Sequence, residues 1–337
     1  MLSTKVHENP DVYLIKIPFE NLKLDSTNCY IVVDGNDALL VDTGAPSDEG
    51  LHYLQNALQE LGINPQRLSF FLTHLHLDHA GLLDRIAPLD ATVYLNENDY
   101  RRTQPEEVER RYEALYRTLV AEGADPDSAR CSIESRSQFS HIIQQDHRFV
   151  FTQENDEITV GNYRFTVLET PGHTPGHQVL YQPESGLLFG GDHILFIMSP
   201  GIGLFLPDAE GNGGNDGVQL YLDSLSKILR LSPKTLLHSH GPIRPDVNER
   251  IEWLAQHQRQ RAERVLSLVK DNPNSTGFEI TQDIGFKLPH STWEDIPCVQ
   301  KLLLMEIGAT FLRHLELRGK IEAHQDPNGI RRYRVVE

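Results

Sequence analysis

Alternating apolar and polar residues dominate the first forty positions. Val12 to Ile17, Cys29 to Val33 and Ala38 to Val41, with a turn at Asp34 to Asn36, predict an antiparallel sheet. Apolar spacing then lengthens to three and four residues. Between Ser47 and Leu61 it puts Leu51, Leu54, Leu58 and Leu61 on one face of a helix, capped by Ser47 or Asp48 and stopped at Gly62. The short run Leu68 to Leu72 predicts a strand that enters a polar loop and then a helix near Ala80 to Leu83. From Glu97 to about Phe139 charge and helix formers prevail, with Tyr112, Leu115, Tyr116 and Leu119 at helical spacing. Helices inserted between core strands are expected there.

Strand patterns return at Arg148 to Phe151, Ile158 to Val160, Tyr163 to Leu168, Gln178 to Tyr181 and Leu187 to Phe189, which predicts a second sheet. Ser199 to Gly217 holds too many glycines and prolines for a regular element and reads as a loop, either mobile beside a pocket or simply on the surface. A helix over Val218 to Leu231 and a last strand over Thr235 to Leu237 close this part of the chain. A long amphipathic helix, Val247 to Val269, then leads to a tail of helix, helix and hairpin: Phe278 to Phe286, Leu302 to Arg318, and Lys320 to Val336 folded about Asp326 to Gly329.

With 337 residues the chain is long enough for one large and one small unit, expected at 1–245 and 246–337 with the amphipathic helix as linker. Apolar residues at 39% and charged residues at 23% match soluble globular proteins, so a packed core is expected and disorder is not. The net charge of -17 argues against a surface that wraps nucleic acid along its whole length, though one basic face remains compatible with it. Cys29, Cys131 and Cys298 are too few and too scattered for a disulfide framework, which suits a reducing cytoplasm. Met1 to Asp11 lacks an apolar signal core, and no stretch reaches the roughly 20 apolar residues that span a bilayer; neither secretion nor membrane insertion is expected.

The chemistry concentrates in Thr73-His74-Leu75-His76-Leu77-Asp78-His79, three imidazoles and a carboxylate where a strand runs into a helix. His74 and His76, two apart on an extended segment, can point the same way and share one ion, while Asp78 and His79 begin the next element and can face a second. Further donors must come from other loops. His173 in Gly172-His173-Thr174-Pro175-Gly176-His177, Asp192 after Gly190-Gly191, and His240 before Gly241-Pro242 have suitable chemistry, each among residues that permit tight turns.

This constellation resembles the metallo-β-lactamase superfamily over roughly Val12 to Pro242, since the His-x-His-x-Asp-His motif is met in full and the later ligands match His173, Asp192 and His240. The resemblance implies an α/β (α+β) fold of the αββα sandwich type. It also implies one metal on His74, His76 and His173, a second on Asp78, His79 and His240, and Asp192 bridging the two. Asp42 in Val41-Asp42-Thr43-Gly44 matches a recurrent motif of the superfamily and can orient a ligand loop, or be a simple turn residue. His177 and His193 are expected around the ligands rather than among them, His238 is a bystander, and His52, His257 and His290 are ordinary surface or core residues.

Imidazole and carboxylate donors without thiolate suit two divalent ions, Zn first, with Fe or Mn also accommodated. The expected reaction is hydrolysis in which the paired cations activate a bridging water as hydroxide, with Asp78 orienting it or shuttling its proton. A small-molecule ester or thioester is the leading substrate class, by similarity to glyoxalase II-like hydrolases. A phosphodiesterase or ribonuclease is the main enzymatic alternative, and a dioxygenase with a single iron on two His and an Asp a minor one.

The tail is more loosely similar to the winged-helix extension of members like lactamase-beta-like protein 2. Its Arg313, Arg318, Lys320, Arg331, Arg332 and Arg334 form a basic cluster that can meet nucleic acid, pack beside the active-site mouth, mediate a homodimer, or simply be solvated. A winged-helix DNA-binding regulator with a ligand-sensing metal domain is the non-enzymatic alternative.

Overall fold

The computed structural model describes residues 2–19, 25–137, 143–206, 214–286 and 292–336. His290, the middle of the glycine-rich 199–217 segment and Phe139 lie outside these residues. In chain order the first half comprises β1 (Ser3–His7), β2 (Asp11–Pro18), β3 (Ser26–Asp34), β4 (Asp37–Val41), α1 (Asp48–Glu60), β5 (Leu68–Phe71), α2 (Leu77–Ala80), α3 (Leu83–Ile86) and β6 (Thr92–Leu95), then α4 (Glu97–Arg102), α5 (Pro105–Ala121) and α6 (Pro126–Ser137). The second half comprises β7 (Arg148–Phe151), β8 (Glu157–Val160), β9 (Tyr163–Glu169), β10 (Gln178–Gln182), β11 (Leu187–Gly191), α7 (Gly217–Leu231) and β12 (Thr235–His238). The tail holds α8 (Val247–Asp271), α9 (Gly277–Gln282), α10 (Cys298–Leu317), β13 (Ile321–Gln325) and β14 (Arg331–Val335).

Local chemistry accounts for several boundaries. Ser47 caps α1 by accepting the Gly50 N–H at 2.9 Å, Asp48 and Glu49 sit in its positive first turn, and Gly62 takes the left-handed conformation just past its end. Thr276 and Glu279 form a reciprocal capping box at α9. Asp326 turns the last hairpin by accepting the N–H groups of Asn328 and Ile330.

The chain divides into two compact units, one of residues 1–104, 140–200 and 224–252, the other of 105–139, 201–223 and 253–337. In the first, β1 to β7 form one sheet in sequence order, antiparallel through β4 and parallel from β4 to β7. A second sheet has the order β12-β11-β10-β9-β8, with only β11 and β12 parallel. The sheets face each other across Tyr30, Val32, Leu39 and Phe71 from one, and Phe165, Val167, Leu180, Phe189 and Leu237 from the other. On its far face the first sheet packs Ile15, Ile31, Leu40 and Phe70 against Leu54, Ala57 and Leu83 of α1 and α3. This is the layered mixed α/β architecture expected. The polar edge strand β1 and the short strand β6 are not among the strands the sequence pattern predicts.

In the second unit Val108, Tyr112, Leu115 and Leu119 of α5 pack with Ala129 of α6 and with Leu302 and Met305 of α10. A buried carboxylate anchors its hairpin: Glu122 accepts the Tyr333 hydroxyl at 2.7 and 2.9 Å and lies 3.1 Å from Arg331 Nε. Burial is the largest influence on Glu122 and raises its pKa to about 7, against the pull of Tyr333 and Arg331. Nearby, Asp216 opens α7 by accepting the Gln219 N–H and pairs with His314 of α10 at 2.9 Å. Among the described residues no helix is long and apolar enough to cross a membrane.

Candidate metal centre

Parallel neighbours carry the candidate donors to one edge: β4 and β5 of the first sheet, β11 and β12 of the second, each continue into a loop holding a polar residue. Asp42, just past β4, adopts a left-handed backbone (φ 60) and is buried. Its carboxylate accepts the Thr73 N–H at 2.9 Å and the Thr73 hydroxyl at 2.9 Å, and lies 2.8 Å from His79 Nδ1. With Nδ1 donating to that carboxylate, His79 presents its lone pair at Nε2. Thr73, its proton committed to Asp42, accepts from His74 Nδ1 at 3.1 Å, which frees His74 Nε2 in the same sense. His240 Nδ1 donates to the Ser26 carbonyl at 3.0 Å, so its Nε2 also faces inward bearing a lone pair. The turn that carries His240 is pinned by β3, where Asn28 donates to the His238 and Gly241 carbonyls and Tyr30 donates to that of His238.

The structure brings all seven predicted donor residues together. His74, His76 and His173 form one group, with His76 Nδ1 at 2.9 Å from His74 Nε2 and 3.0 Å from His173 Nε2. Asp78, His79 and His240 form another, His240 Nε2 standing 3.3 Å and His79 Nε2 3.8 Å from Asp78 Oδ2. Asp192 lies between: Oδ2 is 3.6 Å from His173 Nε2, and Oδ1 is 3.5 Å from His79 Nε2 and 3.3 Å from His240 Nε2. A tetrahedral ion with bonds near 2.0–2.1 Å separates its donors by roughly 3.3 Å, so these spacings fit metal coordination.

Hydrogen bonding supports the same reading. Among the described residues, His79 Nε2, His240 Nε2 and Asp192 Oδ1 are buried side-chain atoms without a hydrogen-bond partner, a state that costs about 1–3 kcal/mol per group unless something else engages it. Burial disfavours charge on Asp192 and Asp78, yet the surrounding imidazoles hold both carboxyls down, Asp78 to about 2. Burial likewise opposes a charged His79, and the three carboxylates Asp192, Asp42 and Asp78 overcome it and raise its pKa. His74 is pushed well down, first by burial and then by its histidine neighbours. The centre is therefore a buried concentration of negative charge that favours cations, whether protons on His79 and His240 or metal ions held in their place. The donor set fits a dinuclear metal site.

His177 lies beneath the Asp192 turn, its Nε2 accepting the Asp192 N–H at 3.2 Å and its Nδ1 2.8 Å from the Thr170 hydroxyl. His193 is buried with its ring 5.6 Å from that of His177, and His238 Nε2 donates to the Pro242 carbonyl. His52 bonds Asn56 on the surface and His257 stacks on Trp253. Sequence reasoning missed Asp99. Buried on α4, its carboxylate accepts the Thr174 hydroxyl at 2.7 Å, the Gly176 N–H at 2.8 Å and the Leu75 N–H at 3.3 Å. One acid in a charged helical stretch gives no periodic signal that it is the buried one.

A two-sheet sandwich with His and Asp donors gathered where its strands end defines a metal-binding α/β protein. The sequence profile of the Metallo-beta-lactamase superfamily matches residues 22–240, and the chain belongs to that superfamily. It is similar to the probable metallo-hydrolase YqjP of Bacillus subtilis (27% identical, covering 81% of this chain and 85% of the relative). It also resembles the atrochrysone carboxyl ACP thioesterase AacuM of Aspergillus aculeatus (24% identical, 88% of this chain and 78% of the relative). Among solved structures, the metallo-beta-lactamase family protein TTHA1429 of Thermus thermophilus aligns with a TM-score of 0.76 at 25% identity, over 96% of this chain and 98% of that one.

Proposed function

We propose that this metallo-hydrolase cleaves an ester or thioester of a small molecule, with His74, His76 and His173 holding one divalent ion, Asp78, His79 and His240 the second, and Asp192 one oxygen toward each. The observation that carries the reading is the position of Asp192, whose two carboxylate oxygens address two separate histidine groups. Two bound cations, zinc being the first choice for this donor set, would supply Lewis acidity and an acidified water at this site. The chain's own residues orient and protect. Asp42 and the Ser26 carbonyl fix the imidazole tautomers, and the buried walls at His74, His79 and His240 exclude bulk water. Asp78, with about a quarter of its side chain exposed and its carboxylate kept ionised by the surrounding imidazoles, is the residue placed to accept a hydrogen bond from the attacking water and orient it.

The ester or thioester reading draws support from the thioesterase among the relatives. A nucleic-acid substrate is disfavoured by how the tail uses its arginines. Arg331 pairs with Glu316 and Glu122, Arg332 with Asp326, Arg334 with Glu322 and Arg318 with Asp216, while Arg313 donates to the Gly214 carbonyl. Each of these guanidinium groups lies beside a carboxylate or carbonyl, which lowers the net positive charge the tail offers to phosphates. The order α9, α10, hairpin supports a winged-helix reading of the tail, here in a structural role.

Metal content measured beside turnover of a thioester, a lactone and a bis-aryl phosphodiester tests the proposal. Two equivalents of metal, thioester cleavage, and loss of both in His74→Ala and Asp192→Ala with the fold kept are expected. Full activity in either variant, or turnover of the phosphodiester alone, overturns it.

A further inference from the structure

Asp99 touches both chain segments that supply the first histidine group. Leu75, whose N–H it accepts, lies between His74 and His76; Thr174, whose hydroxyl it accepts, follows His173; and Gly176 donates to its other oxygen. These loops are about a hundred residues apart in sequence and have different scaffolds, one the end of β5 and the other the link from β9 to β10. A carboxylate with three donors on two loops fixes their separation, because shifting either loop breaks a charge-assisted bond in a buried place. The packing agrees. A Cβ added at Gly176 would stand 2.8 Å from both the backbone nitrogen and Oδ1 of Asp99, so this motif glycine is what lets the loop lie directly on α4.

The second histidine group is held by other means: Asp42 on His79, the Thr27 hydroxyl on the Asp78 carbonyl, and the Ser26 carbonyl on His240. None of these contacts involves Asp99. We infer that Asp99 is a positioning residue of one half of the centre, holding the His74–His76 loop and the His173 loop at the separation at which they share an ion, and leaving the Asp78, His79 and His240 half unaffected. This rests on the reading of the two groups as metal sites, and it assigns to α4 a duty that no ligand motif encodes.

The test uses the full chain and zinc as the probe, titrated against a chromophoric chelator. Asp99→Ala is expected to weaken one of two zinc equivalents by about 10- to 100-fold and to leave the other within about twofold. Asp99→Asn, whose carbonyl still accepts one N–H, should fall in between. Two backgrounds assign the halves. With His240→Ala, Asp99→Ala should weaken the zinc that remains; with His173→Ala it should change nothing. In metal-free protein the Leu75 and Gly176 amides should exchange hydrogen faster in Asp99→Ala than in the parent. Faster exchange with unaltered zinc constants makes Asp99 a mere loop anchor and overturns the inference while the metal reading stands. Equal weakening of both equivalents overturns it as well. A parent protein that takes up no zinc sinks the metal reading and the inference together.

Discussion

Glu122 makes the second unit a sensor of pH, and the size of the effect follows from its surroundings. Burial raises this carboxyl from 4.5 to about 7, outweighing the hydrogen bonds from Tyr333 and the attraction of Arg331. That attraction is real: burial works against the Arg331 charge, yet Tyr333, Glu122 and Glu316 together raise its pKa. The folded carboxyl thus keeps its proton at pH values where the unfolded chain has released it. The contribution of Glu122 to stability is complete below pH 4.5 and is lost as pH rises through about 7. A difference of this size corresponds to roughly 3 kcal/mol, a fifth or more of a typical domain's stability.

Glu122→Gln keeps the shape, still accepts the Tyr333 hydroxyl and cannot ionise. Urea unfolding of parent and variant at pH 5 and pH 8 isolates this group, because other titrations are shared and cancel in the comparison. Near-equal stability is expected at pH 5, with the variant ahead by roughly 2–3 kcal/mol at pH 8. A gap that does not change between the two pH values, or a variant weaker at pH 8, would show that Glu122 is ionised throughout and that the ion pair with Arg331 outweighs burial.

Two further substitutions probe the scaffold. Gly191 has φ 50, and a Cβ there would lie 2.7 Å from His177 Nε2 and 2.9 Å from Thr73. Gly191→Ala should therefore destabilise by roughly 1–3 kcal/mol in urea and reduce zinc uptake through Asp192, whereas unchanged uptake would detach that turn from the centre. Phe165 is fully buried between the two sheets, so Phe165→Ala should cost about 3–5 kcal/mol by the same assay. A loss below about 1 kcal/mol would mean that the sandwich core collapses around the void.

The candidate donors were legible in the sequence because a metal-binding site of the kind proposed concentrates rare side chains in a few loops. His74 to His79 announces itself, and His173, Asp192 and His240 each sit among glycines and prolines that mark turns. Strands with a strong apolar repeat, such as β3 and β9, were legible for the same reason that they are buried. What supports the donors was less visible. Asp42 stands beside a recognisable turn, but Asp99 is one acid in Glu97 to Arg102, and only the folded chain shows which of those side chains turns inward. Likewise, the apolar face of α5 predicts that the helix is buried without saying against what. Beyond the adjacent α6, its cluster draws on α10, which lies far along the chain, and periodicity carries no information about pairing at that distance.

That distance matters while the protein is being made. Leu115 and Leu119 leave the ribosome long before Leu302 and Met305, which complete their cluster. At bacterial or eukaryotic elongation rates the interval is roughly 10–40 s, far longer than a helix needs to form. For that time the nascent α5 and α6 display an oily cluster that α10 has yet to complete. This makes α5 and α6 the segment on which a chaperone would act, and a premature stop before α10 would leave it sticky for the life of the truncated product.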